Sequence, residues 1–176
     1  ADITDAGAVR EMVKATVTAF GRIDILINNA VTHTWKPIQE LSYEDWKHTL
    51  AVTLDGAFHC VQACLPEIIR SGGGSIVNMG GAFGHVASAG RAATATAKAG
   101  LAGLTRTLAL ELAEHNINVN CIMPGTIDTP QNRAAVPNGD FSKWVEPVAI
   151  ADVIMFLASD ASRAVNGAAL PVFGKG

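Results

Sequence analysis

The chain has 176 residues, of which 49% are apolar and 16% charged, with a net charge of −3. That length and balance suit one globular domain with a real core and argue against a disordered chain. The acidic balance and the absence of any Lys/Arg cluster speak against nucleic acid and anionic membrane surfaces as partners, and no apolar run reaches the length of a membrane span.

The opening "ADITDAG" carries acids and lacks the apolar stretch of a signal peptide. Asp5 is placed to cap a helix over 6–20, where Val9, Met12, Val13, Val17 and Phe20 recur at helical spacing and Gly21 marks the stop. "IDILINNA" follows as a short apolar run ending in Asn28 and Asn29, read as a strand buried on both faces. Ser42 and Asp45 form a capping box for a helix through about Arg70, which Gly56 and Pro66 predict to bend or divide. Within it, Cys60 and Cys64 share a face beside His59. Small buried thiols account for that cluster better than a metal site, and no metal is expected. With Cys121, the odd count of three and the lack of a CxxC read as reduced thiols in a cytoplasmic protein.

"SGGG" closes that helix, and "SIVNMG" is a second buried strand. A Gly- and Ala-rich loop leads to a long helix over 92–113, and "INVNCIMPG" is a third strand. The stretch 124–145, with three prolines, reads as irregular; 147–158 reads as helical and "AALPVF" as a fourth strand. Alternating strand and helix predict an α/β layered domain with a parallel sheet and right-handed crossovers.

Four stretches in register, "NNA", "SIVNMGG", the lysine helix "RAATATAKAGLAGLTRTLALE" and "IMPGTIDTP", resemble the short-chain dehydrogenase/reductase family along essentially the whole chain. The resemblance implies a Rossmann-like doubly wound parallel sheet that binds NAD or NADP at the carboxyl ends of its strands. It implies that the chain is truncated to the second half of that fold. Residues 1–176 then form a single partial domain of about four strands with flanking helices. The family's "TGxxxGxG" turn, which lets a helix N-terminus approach the pyrophosphate, has no match here, so weak dinucleotide binding is expected. The strand "ILIN" is expected to become an exposed apolar edge. The segment "DTPQNRAAVPNGDFSKW" is similar to the corresponding region of dihydropteridine reductase-like members.

The family's catalytic set is an asparagine, a serine, a tyrosine and a lysine. The tyrosine exchanges a proton with the substrate oxygen while hydride moves to or from the nicotinamide. By resemblance these positions are Thr53, Gly81, Thr94 and Lys98, so only the lysine matches. A threonine hydroxyl is shorter and far less acidic than a phenol. His85 and Ser88, in the loop where substrate would sit, are the alternative acid and orienting group. The resemblance assigns the cofactor to Asp2 at the adenine, to Asn28, Asn29 and Ala30, to Lys98 through ribose hydroxyls, and to Pro124, Gly125, Thr126 and Thr129 near the nicotinamide. Val31 stands where family members commonly have glycine and crowds that approach. The helices at 43–70 and 92–113 correspond to the family's dimer helices, so a homodimer or homotetramer is expected. Three readings stay open: an NAD(P)-dependent oxidoreductase resembling oxoacyl-carrier-protein reductases, a family member kept for binding or assembly, and a fragment of either.

Overall fold

A computed structural model describes residues 1–174. Helix α1 (Ala6–Phe20) forms where its signals place it. The Asp5 carboxylate accepts from the backbone N–H groups of Gly7 and Ala8, and Gly21 closes the last turn in the left-handed region. The next helical run starts at α2 (Tyr43–Leu50), where Ser42 Oγ accepts from the Asp45 N–H at 3.0 Å and bonds its carboxylate at 2.8 Å. It passes through a π-helical turn at Ala51–Asp55 into α3 (Gly56–Arg70). The expected break is therefore a widened turn just before Gly56, and Pro66 is carried inside α3. Helix α4 (Ala92–Glu111) ends slightly short of its predicted limit, in a 3₁₀ turn over Ala113–His115.

Strands β1 (Ile25–Asn28), β2 (Gly74–Met79), β3 (Ile117–Pro124) and β4 (Ala169–Val172) form one parallel sheet in the order β1-β2-β3-β4. The register sets Asn28 beside Asn78, Ile76 beside Val119 and Cys121 beside Ala169. Helix α6 (Pro147–Leu157) lies between β3 and β4 in the chain. Side-chain alternation along β2 divides the core in two. Ile76, with Ile117 and Val119, packs on Val13, Val61, Cys64, Ile68 and Ala109 from α1, α3 and α4. Val77 and Met79, with Ile122, pack on Ile150 and Leu157 from α6. Both faces are covered, which is the doubly wound α/β arrangement expected from the alternation.

Two expectations are corrected. The run around β1 is not buried on both faces: only Asn28 is buried, and Ile25 is 46% exposed. Among the described residues β1 pairs with β2 alone, so it is the exposed edge that the resemblance implied. The stretch 124–145 is more ordered than its prolines suggested. Thr129 caps a short helix, α5 (Pro130–Ala135), with its Oγ1 accepting from the Asn132 N–H. Pro130 occupies the first turn, where its missing N–H has no intrahelical partner to lose. Ile127 and Val145 then bridge the segment. Among the described residues no helix is long and apolar enough to cross a membrane.

Gly74 shows how tightly the sheet edge is joined to the core. A Cβ there would lie 1.9 Å from the Asp24 carbonyl oxygen, a backbone atom that cannot swing aside. Gly74→Ala is therefore expected to lose more than about 2 kcal/mol of stability, read as a lower urea midpoint.

Candidate functional site

The segments leaving the carboxyl ends of β1, β2 and β3 converge around a cavity of about 500 Å³. Its walls come from the segments 31–35 and 79–83, from Arg91, Thr94 and Lys98, from 124–127, and from Asn132 and Ala135 of α5 with Val136 after it. A second hollow of about 370 Å³ lies at the opposite ends of the strands, against Asp24, Gly74 and Asn118, and contains none of the residues singled out from the sequence.

Segment 31–36 has left the sheet and needs partners for its backbone groups. Two threonines supply them in the same way. Thr53 Oγ1 accepts from the Thr32 N–H at 3.2 Å and donates to the Thr32 carbonyl at 3.0 Å. Thr94 Oγ1 accepts from the Thr34 N–H at 3.0 Å and donates to the Thr34 carbonyl at 3.2 Å. Thr53 and Thr94 are almost fully buried. Thr49 adds a third tie: its proton goes to the Asp45 carbonyl, so the Thr34 hydroxyl donates to Thr49 Oγ1 at 2.8 Å. On the other side the segment meets the loop before α4, with the Lys36 N–H bonded to the Gly90 carbonyl at 2.9 Å. Gly90 sits at φ 75, and a Cβ there would lie 2.6 Å from the Trp35 ring. The π-helical turn is what presents Thr53 to this segment.

Lys98, in α4, is 7% exposed, and its Nζ donates to the Met79 carbonyl at 2.7 Å. Burial lowers its pKa from 10.5 to about 8, with the neighbouring Cys121 thiol pulling weakly the other way. Gly81 offers no hydroxyl beside it. Of the four positions that the resemblance singles out, Gly81, Thr94 and Lys98 line the cavity and Thr53 does not, and both threonine hydroxyls are engaged on backbone.

The other residues named from the sequence divide. Pro124, Gly125 and Thr126 line the cavity with Lys98, Gly81, Thr94 and Val31. Thr129 does not line it; it caps α5, and the wall residue is Asn132. Asn28 is buried in a relay, donating to Asn78 Oδ1 at 2.8 Å, while Asn78 donates to Thr105 Oγ1 at 2.9 Å. It joins β1 to β2 and α4 and does not reach the cavity lining. Asn29 and Ala30 are exposed just past the strand. Asp2 is exposed outside the lining, its carboxyl held below the usual range by the Thr4 N–H and hydroxyl. His85 and Ser88 are exposed and do not line the cavity. Cys60, Cys64 and Cys121 are buried free thiols, and no cluster of metal-ligating side chains occurs among the described residues.

Sequence reasoning missed His33, Trp35, Phe83, Arg91 and Asn132, all of which face the cavity. Arg91 immediately precedes the lysine helix and was open to notice as a charge in an otherwise Ala- and Gly-rich stretch. His33 gave no signal, since its approach to the lysine depends on how segment 31–36 is folded back. Burial, then the charges of Arg91 and Lys98, lower its pKa.

Residues 1–174 match the family model described as enoyl-(acyl carrier protein) reductase. Among curated proteins the chain is similar to the 3-oxoacyl-[acyl-carrier-protein] reductase of Thermotoga maritima, at 36% identity over 98% of this chain and 74% of that protein. Among solved structures it is similar to one described as a short-chain dehydrogenase/reductase from Burkholderia xenovorans, with TM-score 0.92 and 31% identity over 98% of this chain and 71% of that one. It is also similar to carveol dehydrogenase from Mycobacterium avium in complex with NAD, with TM-score 0.90 and 31% identity over 99% and 73% of the two chains.

Two measurements probe this geometry. Thr94→Val keeps the side-chain shape and leaves the Thr34 N–H and carbonyl without their partner, so it is expected to lose about 1–3 kcal/mol in chemical unfolding. Thr96→Val, at an exposed position of the same helix, serves as the control. The lysine has a pH signature. Its folded pKa of about 8 lies below the ordinary 10.5, so between these values the unfolded chain holds more protons and stability rises with pH. Wild type is expected to gain on the order of 3 kcal/mol relative to Lys98→Met across that window. A constant difference would mean that the ammonium is not desolvated.

Proposed function

The chain belongs to the short-chain dehydrogenase/reductase family, and on that premise we propose that its cavity takes a small alcohol or carbonyl compound beside NAD or NADP, with turnover impaired by a proton-transfer set that is already engaged. One observation carries this reading. The hydroxyl protons of Thr94 and Thr53 go to the carbonyls of Thr34 and Thr32, and Gly81 has none to give. Releasing either hydroxyl toward a ligand would strand a backbone pair, and a released threonine would still be a far weaker acid than a phenol, whose pKa is about 10. Lys98 retains its place, but its ammonium is held by the Met79 carbonyl.

The residues present fit the nicotinamide end of a dinucleotide. The strand end at Gly81 is bare, and a Cβ added there would sit 3.6 Å from Lys98 Cε in ordinary contact, so a serine is accommodated without displacing anything. Lys98 and the Pro124–Thr126 turn would hold that end, and the bound cofactor would supply hydride chemistry. What the chain itself contributes is a half-open pocket at the strand ends, a partly desolvated lysine, and Val31 in the wall where the resemblance places glycine.

A second reading, a member of the fold kept for binding or assembly, is favoured by two exposed apolar side chains. Leu110 on α4 is 83% exposed and Phe58 on α3 is 46% exposed. These helices are the proposed surface of a homodimer or homotetramer.

The test compares the chain with a triple variant, Thr53→Asn, Gly81→Ser and Thr94→Tyr, in reduction of a ketone panel at NADH and NADPH concentrations shown by titration to saturate each protein. A positioned general acid contributes about 10²–10⁴ in rate, so the variant is expected to be at least about 100-fold faster, with folding checked by circular dichroism. Equal rates for the two proteins would overturn the reading.

A further inference from the structure

Arg91 is the charged group in this cavity that the preceding reading leaves without a task. It stands immediately before α4, and its guanidinium carbon lies 4.6 Å from the centroid of the Trp35 ring and 4.8 Å from that of Phe83. Its side chain makes no hydrogen bond and no ion pair among the described residues, whereas Arg133, in the neighbouring α5, is paired with Asp128 at 2.5 Å. No aspartate or glutamate lines the cavity. These contacts staple the 31–36 segment to the loop before α4 and spend none of the guanidinium N–H groups on a hydrogen bond. A guanidinium with its donors unspent suits a carboxylate, which it can meet with two parallel hydrogen bonds.

The other basic groups do not compete for the same ligand. Lys98 spends one of its three donors on the Met79 carbonyl and is 7% exposed, so little of its ammonium is presented to the cavity. His33 is disfavoured as a cation by burial and by the charges of Arg91 and Lys98. The remaining wall is largely apolar, with Val31, Met79, Ile127, Ala135 and Val136.

We propose that Arg91 is a carboxylate-binding residue, and that the ligand of this cavity is a monoanion carrying one carboxylate on an apolar body. A single uncompensated guanidinium, stacked near two aromatic rings in a largely apolar wall, suits a planar monoanion. A phosphate dianion would call for further unspent donors. The proposal rests on the cavity being the ligand site of the preceding reading, and it does not depend on whether turnover is impaired.

The test is calorimetric titration of the intact chain with benzoate, with its neutral isostere benzamide, and with phenyl phosphate. Benzoate is expected to bind at least about 10-fold more tightly than benzamide, as a charge-assisted bidentate pair requires. Arg91→Met keeps an unbranched apolar stem between Trp35 and Phe83 and is expected to bring benzoate down to the level of benzamide. Arg91→Lys keeps the charge without the fork and is expected to lose most of the preference. Equal binding of benzoate and benzamide by the unmodified chain, no binding of either, or a preference that survives in Arg91→Met would overturn the assignment. So would phenyl phosphate binding about 10-fold more tightly than benzoate, which would make phosphate the occupant. The comparison in the unmodified chain needs no variant to fold. The titration is read without cofactor or turnover, so loss of the benzoate preference overturns this assignment alone, whereas equal ketone reduction by the two proteins overturns only the preceding reading.

Discussion

A backbone that leaves a sheet carries its donors and acceptors with it, and in this protein the partners found for segment 31–36 set the character of the site. Hydroxyls at Thr53 and Thr94 each close on one residue of the segment, taking its N–H and giving to its carbonyl. The two residues so held, Thr32 and Thr34, are spaced by two, as in a strand, and the two threonines stand in for the neighbouring strand. Holding the segment down shapes the cavity wall and at the same time removes the hydroxyls from chemistry. Structure and activity draw here on the same two protons.

The buried polar groups below the site follow the same rule. Asn28, Asn78 and Thr105 form a relay that ends on the Leu101 carbonyl, linking the edge strand to the central strand and to α4. Each member is satisfied by the next, so the relay stabilises a particular register at the sheet edge without leaving a group exposed to the low-dielectric interior. Asn120 does similar work on β3, donating to the Val165 carbonyl and accepting from the Ala168 N–H, which guides the chain into β4. The site therefore stands on a platform whose polar contacts are complete. Lys98 and Arg91 face the cavity above it with positive charge and no carboxylate in the lining to balance them.

Much of this was legible in the order of residues. Strand and helix alternate because apolar runs and helical periodicity alternate, and the caps at Asp5 and Ser42 formed as written. The doubly wound arrangement follows from strands that must be covered on two faces, and the pattern "NNA", "SIVNMGG", lysine helix and "IMPG" pointed to the family that the comparisons then identified. The substitutions at Thr53, Gly81 and Thr94 were also visible, because they are identities and need no coordinates. Local chemistry was less secure where one signal had two meanings. Pro130 counted toward irregular structure but starts a helix, because proline is tolerated in a first turn and excluded from an interior.

What the threonines do was decided only by tertiary structure. A hydroxyl at position 94 is an idle side chain, a weak acid or a backbone partner according to what lies against it, and Thr34 is 60 residues away in the chain. The same holds for Arg91, whose meaning comes from Trp35 and Phe83 on two different segments, and for Asn28, whose partner lies across a strand pairing. Sequence alone determined the element types, the family and the missing functional groups, because these depend on identity and short spacing. The engagement of each polar atom depends on long-range closure of the chain, which no local pattern encodes.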